Sequence, residues 1–99
     1  MAARSNSNGN GNGKLGAAKL IRLAREQAHE LTGRPVEGVL GMRRDDDGGF
    51  EVLVEIVELR RVPDSTDVLA SYLLVLDEAG DVQEYRRTRR YYRNQVEEE

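Results

Sequence analysis

The chain contains no cysteine, so no disulfide framework, thiolate metal ligand or cysteine nucleophile is available to it. It also has no apolar run near the roughly 18 residues that a membrane-spanning helix requires. Its first residues lack the apolar stretch of a secretory signal. These three absences predict a cytoplasmic protein that makes no membrane contact.

The size and composition limit what the chain can build. It has 99 residues, of which 33% are charged and 38% are hydrophobic. A domain of this size buries roughly 60–65% of its unfolded surface and leaves little volume for a deep active site. The sequence therefore indicates a small binding or assembly module with a large polar surface.

The composition changes along the chain and predicts its domain organisation. Residues 1–13 consist mostly of Ser, Asn and Gly and contain too little apolar surface to offset the entropy of ordering. We expect them to form a disordered leader. Residues 14–95 are predicted to form a single α+β domain, and residues 96–99 an acidic tail.

Residues 15–32 have the apolar spacing of an amphipathic helix. Gly33 stands where a left-handed C-terminal cap is favoured, and Pro35 prevents the helix from continuing. The apolar stripe of the predicted helix consists of Ala17, Leu20, Ile21, Ala24, Ala28 and Leu31.

After the helix, the hydrophobic period changes to two, which is typical of strands. Turn signals at 45–49, 63–67 and 78–81 separate predicted strands at 36–44, 50–62, 68–77 and 82–93. The alternation breaks at Val57, which predicts a bulge near residues 56–58. The expected fold is one N-terminal helix packed on a four-stranded antiparallel meander sheet.

The sequence contains no convincing catalytic or metal-binding signature. His29 is the only histidine, and a metal site needs several convergent ligands. The "DDDGG" stretch at 45–49 lacks the ligand spacing of an EF-hand and is better explained as a hairpin turn. We therefore predict no enzyme activity, no cofactor and no metal site.

The segment "YRRTRRYYR" at 85–93 carries five of the chain's fifteen Lys and Arg residues. On a regular strand its side chains alternate between two faces, and both faces are basic and aromatic. One face is predicted to carry Tyr85, Arg87, Arg89 and Tyr91, and the other Arg86, Thr88, Arg90 and Tyr92.

Three interpretations of this basic strand are open. Its arginines could pair across the sheet with Glu51, Glu55 or Glu58 of the second strand. They could form a protein interface, in which Arg and Tyr are enriched. They could also hold single-stranded nucleic acid through phosphate contacts and base stacking, although the net charge of −3 disfavours that interpretation.

The second half of the chain resembles the gas vesicle protein O family of actinobacterial and haloarchaeal gas vesicle gene clusters. The resemblance is sharpest at 55–93 and is carried by "ELRRVPDSTDVLASY", by "LD" at 76–77, by Gly80 and by "YRRTRRYYR". The stretch "AREQAHELTGRPVEGVLG" resembles the family's helix and first strand. One departure is Leu73–Leu74, where the family is expected to be more polar.

This resemblance implies a non-enzymatic accessory or minor structural protein that assists assembly of gas-filled protein shells through protein–protein contacts. The implied partners are other gas vesicle proteins, either shell or accessory. The alternative is a nucleic-acid-binding regulator of gas vesicle gene expression that uses the basic strand 85–93. The candidate interaction surface comprises Arg60, Arg61, Asp64, Asp67, Tyr72, Tyr85, Arg86, Arg87, Arg89, Arg90 and Tyr91.

Overall fold

One helix precedes four strands in the computed structural model, which describes residues 16–95. The predicted leader at 1–13 and the acidic tail at 96–99 lie outside the described residues. The helix and strands are α1 (Ala17–Thr32), β1 (Val36–Arg44), β2 (Phe50–Leu59), β3 (Val68–Leu76) and β4 (Val82–Tyr92). The strands neighbour one another in the order β1-β2-β3-β4 and all pairs are antiparallel. The predicted α+β meander is confirmed.

Helix α1 ends as its sequence predicts. Gly33 has φ of 70°, and its N–H donates to the carbonyl of His29. Leu20, Ala24 and Ala28 are buried, and the small alanines let the helix lie close to the sheet. The buried stripe is narrower than predicted, because Ala17 and Leu31 are exposed at the two ends of the helix.

The main core lies between α1 and one face of the sheet, which we call the helix face. The alternation predicted for β2 is confirmed, since Val52, Val54 and Ile56 all point to the helix face and are fully buried. Apolar residues of β3 complete this layer. The buried core cluster consists of Leu20, Ala24, Ala28, Phe50, Val52, Val54, Ile56, Leu74 and Leu76.

The opposite face of the sheet, which we call the open face, carries a smaller apolar cluster at one end. This cluster consists of Val57, Leu69 and Tyr91. The predicted bulge near residues 56–58 is confirmed by a register shift between Val57 and Leu59 in the pairing of β2 with β3. The extra residue of the bulge is Glu58, and Val57 before it lies on the open face by ordinary alternation and packs against Tyr91.

Strand β2 ends at Leu59, three residues before the predicted end at 62. The backbone N–H of Arg61 donates to the side chain of Asp67 at 2.7 Å. Because this carboxylate takes the place of a ladder partner, the strand stops before Pro63. A one-turn 3-10 helix, Asp64–Thr66, then leads into β3.

The two hairpin turns are built in the same way and lie at the same end of the meander. In each, an aspartate carboxylate (Asp45 or Asp77) accepts two backbone N–H groups at 2.9–3.0 Å. A glycine three residues later, Gly48 or Gly80, adopts φ of 90° or 92°, which L side chains rarely adopt. The connection between β2 and β3, with its arginines, lies at the opposite end.

We predict that Val54→Asp unfolds the domain. Its side chain is fully buried against the helix, where an unpaired charge costs several kcal/mol. That cost is comparable to the whole stability of a small domain. Leu53→Asp is the matched control, because Leu53 is its neighbour on the open face and is half-buried. Circular dichroism melts compare the two variants, and equal melting temperatures would contradict the assignment of faces.

Candidate interaction surface

Strand β4 is an edge strand, and an extra residue divides it. Its pairing with β3 shifts between Ser71 and Tyr72, so that Thr88 has no directly opposed residue. The Thr88 hydroxyl donates to the carbonyl of Ser71 at 3.1 Å and lies 2.8 Å from the Ser71 hydroxyl. These contacts fix the bulge in place.

The bulge makes the predicted distribution of the β4 side chains wrong. Tyr85 and Arg87 are paired with the helix-face residues Leu74 and Tyr72, whereas Arg89 and Tyr91 are paired with residues of the open face. Uninterrupted alternation would have placed all four on one face. Arg86 and Arg89 therefore belong to the open face, and Arg87 and Arg90 to the helix face.

Glu58 organises the helix-face arginines. Its carboxylate lies 3.1 Å from Arg87 and from Arg90, and it accepts a hydrogen bond from the Tyr72 hydroxyl at 3.2 Å. Burial, followed by the negative charge of Glu58, raises the pKa of Tyr72. The predicted pairing of Glu58 with arginines of β4 is thus confirmed.

Two tyrosines extend this helix-face group. The rings of Tyr72 and Tyr85 stack with centroids 6.4 Å apart and planes inclined by 29°. Tyr72 is half-buried against the core, whereas Tyr85 is exposed. The stack therefore connects the core to the exposed side of β4, where Arg87 and Arg90 lie on the same face.

The open-face arginines have different surroundings. Tyr91 is buried, and its hydroxyl donates to Glu55 at 2.5 Å. Burial and this hydrogen bond raise the pKa of Tyr91 well above its ordinary range. The guanidinium of Arg89 lies over the Tyr91 ring, 4.7 Å from its centroid, in cation–π geometry. Arg86 lies 3.4 Å from Glu84 of its own strand.

Two of the three glutamates that could have paired with β4 arginines do not do so. Glu55 accepts from Tyr91, and Glu51 pairs with Arg43 of β1 at 3.0 Å. The reason is register, because Arg43 is the residue directly opposite Glu51. Of the three alternatives, Glu58 is the glutamate that pairs with β4 arginines.

Asp67 lies beneath the candidate surface, and its side chain is fully buried. Its carboxylate accepts hydrogen bonds from the backbone N–H of Arg61 at 2.7 Å and from the guanidinium of Arg93 at 2.9 Å. The guanidinium of Arg60 lies 3.8 Å away. Arg93 in turn donates to Glu37 of β1 at 2.9 Å. We call Glu37, Asp67 and Arg93 the ion network. It ties β1, the start of β3 and the end of β4 together.

Sequence reasoning missed Arg93 as the shared partner of Asp67 and Glu37. Arg93 lies 26 positions from Asp67 and 56 from Glu37, so no local spacing relates them. The Arg61 N–H is the main cause that lowers the pKa of Asp67, and hydrogen bonding to Arg93 lowers the pKa of Glu37. Both carboxylates are thereby held in the charged form.

The remaining candidate residues lie at the end of the sheet opposite the hairpin turns. Arg60, Arg61 and Asp64 are exposed in the connection between β2 and β3. A shallow cleft of about 250 Å³ opens beside them and is lined by Arg61, Val68, Arg90, Tyr91 and Tyr92. The structure thus joins this connection to the end of β4 in one surface.

Within residues 16–95, no group of three or more His, Asp or Glu side chains could hold a metal ion. The ring of His29 is hydrogen-bonded to the carbonyl of Arg34 at 2.8 Å. In that same part of the chain, no helix is both long and apolar enough to cross a membrane.

The sequence places the chain in a family. The model of the family described as gas vesicle synthesis protein GvpO matches residues 3–97. The chain belongs to the GvpO family. Gas vesicle protein O of Streptomyces sp. (strain CB03234) is 45% identical over 75 residues, which are 76% of this chain and 58% of that protein.

Two archaeal relatives agree with this assignment. Gas vesicle protein O1 of Halobacterium salinarum is 38% identical, and gas vesicle protein O of Haloferax mediterranei is 37% identical, each over 76 residues. These matches cover 77% of this GvpO-family chain but 63% and 54% of the two relatives. The chain thus spans little more than half the length of its curated relatives. No solved structure matches it significantly.

We predict that the ion network makes stability fall at acid pH. The lowered pKa values of Glu37 and Asp67 mean that the folded state favours the charged carboxylates. Their contribution is present above the unfolded-state pKa of about 4. It is lost as the pH falls through the lower folded-state values. Thermal melts between neutral pH and pH 2 measure the fall.

Arg93→Gln is the variant that tests this origin. It removes the cation from the ion network, so it should melt lower than the parent at neutral pH and lose less on acidification. Because Asp67 keeps the Arg61 N–H, the acid dependence should be reduced rather than abolished. Parallel pH curves for parent and variant would show that the acid sensitivity arises elsewhere.

Proposed function

We propose that this chain is a non-enzymatic accessory protein of gas vesicle formation that works through protein–protein contacts. Membership of the GvpO family supports the role in vesicle formation. The contacts are assigned to the arginine surface, which consists of Arg60, Arg61, Tyr85, Arg86, Arg87, Arg89 and Arg90. Tyr72, Asp67 and Tyr91 support this surface from below, and Asp64 borders it.

One observation supports the proposal most strongly: three arginines of β4 are paired with carboxylates and yet remain about half exposed. Arg86, Arg87 and Arg90 each lie within 3.4 Å of a carboxylate, yet 47% to 60% of each side chain remains exposed. Arginines held in place by such partners lose less conformational freedom on binding. Arg beside exposed Tyr is also the composition enriched at protein interfaces.

The same pairing disfavours nucleic acid as the partner. The carboxylates of Glu58 and Glu84 lie where phosphates would approach Arg86, Arg87 and Arg90. A polynucleotide would bring a phosphate from every nucleotide against them, whereas a protein strand can place a carboxylate beside a guanidinium and a neutral hydrogen-bonding group beside the existing carboxylate. The chain as a whole is also acidic, with a net charge of −3.

The chemistry of the buried groups supports a non-enzymatic role. The Asp67 carboxylate is occupied by Arg61 and Arg93, and the Tyr91 hydroxyl by Glu55. A general acid or base must instead be free to exchange a proton with a substrate. These titratable groups act as structural supports in our proposal.

The partners that fit this proposal are other gas vesicle proteins, either shell or accessory, and the chain would associate with the vesicle during its formation. The family supplies the vesicle context. The partner and the contact surface are our inference from the exposed arginines. The relatives are longer than the segment that matches this chain, so no partner is carried over from them.

We predict that replacing Arg86, Arg87, Arg89 and Arg90 with Gln impairs vesicle formation while the domain stays folded. The exposed Arg86–Glu84 pair contributes about 0–1 kcal/mol, and Gln retains part of the stem packing. Glu58 is largely buried and loses two arginines but keeps the Tyr72 hydroxyl as a donor, so we expect a lower melting temperature without loss of the fold. The measurement is vesicle yield in a host that carries the variant as its only copy of the gene, together with the melting temperature of the purified chain.

A matched control replaces Arg22, Arg25, Arg43 and Arg44 with Gln. It removes the same charge and breaks one ion pair, Arg43–Glu51, and one cation–π contact, Arg44–Phe50. Among the described residues, the β4 variant breaks three ion pairs and one cation–π contact. Normal vesicle yield is expected for this control. Normal yield for the β4 variant as well would remove the strand from the functional surface.

The nucleic-acid alternative has its own signature in this experiment. Four arginines on phosphates would give the binding constant a log–log salt slope of roughly −3 to −4. An oligonucleotide complex with that slope, lost in the β4 variant and kept in the control, would favour the regulator of gene expression. We expect no such complex at physiological salt.

A further inference from the structure

The outer edge of β4 is where the sheet ends. β4 is the last strand in the order β1-β2-β3-β4, and at 11 residues it is the longest. Alternate backbone groups of an edge strand point away from the sheet and can pair with another chain. Building on the proposed function, we propose that this edge binds an extended, acidic segment of a partner protein as a fifth strand.

The distribution of charge along the edge supports an acidic partner. The bulge at Thr88 divides β4 into two stretches in unbroken register, Glu84–Arg87 and Arg89–Tyr92. Two arginines, Arg86 and Arg87, lie immediately before the bulge, and two more, Arg89 and Arg90, lie immediately after it. Positive charge is thus concentrated at the middle of the edge, with Arg86 and Arg89 on one face and Arg87 and Arg90 on the other.

The same arrangement works against a second copy of this chain. If two β4 edges paired antiparallel near Thr88, Arg86 and Arg89 of one copy would lie beside the same two arginines of the other copy on the open face, and Arg87 and Arg90 beside theirs on the helix face. Like charges directly opposite each other on neighbouring strands are destabilising. Acidic residues at those positions would form opposite-charge pairs on both faces of the extended sheet. The edge is therefore selective for an acidic strand.

The other edge of the sheet offers a contrast. Both edge strands have two register shifts, but Gly38 and Gly41 flank the middle of β1, where β4 has arginines. The exposed central side chains of β1, Leu40 and Met42, are apolar rather than basic. Charge complementarity thus singles out β4 rather than β1.

Aromatic side chains flank the arginines and define the rest of the partner's chemistry. Tyr85 is 43% exposed and Tyr92 is 47% exposed, one toward each end of the basic centre. The cleft of about 250 Å³ beside Arg90 and Tyr92 has Val68 in its lining. A segment with acidic residues at its centre and an apolar side chain near one end fits these features.

The test uses the full chain and a fluorescent ten-residue peptide with four consecutive Glu at its centre, which alternate between the two faces of a strand, and with Val and Thr on either side. A second peptide has the same sequence but carries methyl groups on its backbone nitrogens, so it keeps the charge and loses the N–H donors. Fluorescence anisotropy measures the affinity of both. We expect methylation to weaken binding by at least about tenfold, because several strand hydrogen bonds are lost.

Charge is tested separately with Arg86→Gln/Arg89→Gln, which leaves the pairs with Glu58 intact. We expect about 2- to 30-fold weaker binding of the unmethylated peptide, from two lost cross-strand pairs. Arg22→Gln/Arg25→Gln on the exposed side of α1 removes the same charge and should bind normally. Hydrogen exchange should slow in β4 when the peptide is bound.

Each contrary result overturns the edge pairing in a recognisable way. Equal affinity for the methylated peptide would mean that charge attraction alone binds the peptide and that no fifth strand forms. The proposed protein-contact function would still stand. Self-association of the chain that Arg86→Gln/Arg89→Gln abolishes would assign the edge to a second copy. Tighter binding of a single-stranded oligonucleotide than of the peptide would overturn both this inference and the proposed function.

Discussion

The buried carboxylate of Asp67 is the constraint on which the basic end of the molecule depends. A carboxylate without solvent must be fully paired, and the Arg61 N–H and the Arg93 guanidinium provide that pairing. Because the backbone N–H of Arg61 points at Asp67 rather than at a neighbouring strand, β2 stops and the chain reverses. Because Arg93 must reach both Asp67 and Glu37, the end of β4 is held against the first strand. The position of the exposed arginines follows from this buried charge.

The bulge at Thr88 is the second determinant, and it decides which arginines act together. Without it, Arg87 and Arg89 would share a face. With it, Arg87 and Arg90 meet at Glu58, while Arg89 lies over Tyr91 and Arg86 remains near Glu84. One extra residue therefore separates a carboxylate-anchored pair from two arginines with looser surroundings. A regular strand would instead place Arg87 with Arg89 on one face and Arg86 with Arg90 on the other.

The fold was largely predictable because its signals are local. Gly33 and Pro35 mark the helix end, and the alternation in β2 identifies the buried face and the bulge after Ile56. The site was less predictable because its determinants act between distant positions. Nothing near Asp67 indicates that Arg93 will neutralise it, and nothing around Thr88 announces an extra residue. The pattern does identify Arg86 to Arg90 as unusual, but their partners depend on the register of three strands.

Structural and binding roles overlap unequally among the four β4 arginines. Arg87 and Arg90 neutralise Glu58, which is largely buried and also accepts from Tyr72, so removing them leaves a carboxylate short of partners. Arg86 pairs with the exposed Glu84, and the guanidinium of Arg89 lies over the ring of Tyr91. A loss of binding caused by changing Arg86 and Arg89 can therefore be attributed to the surface itself. The same loss after changing Arg87 and Arg90 would mix recognition with the support of the sheet beneath it.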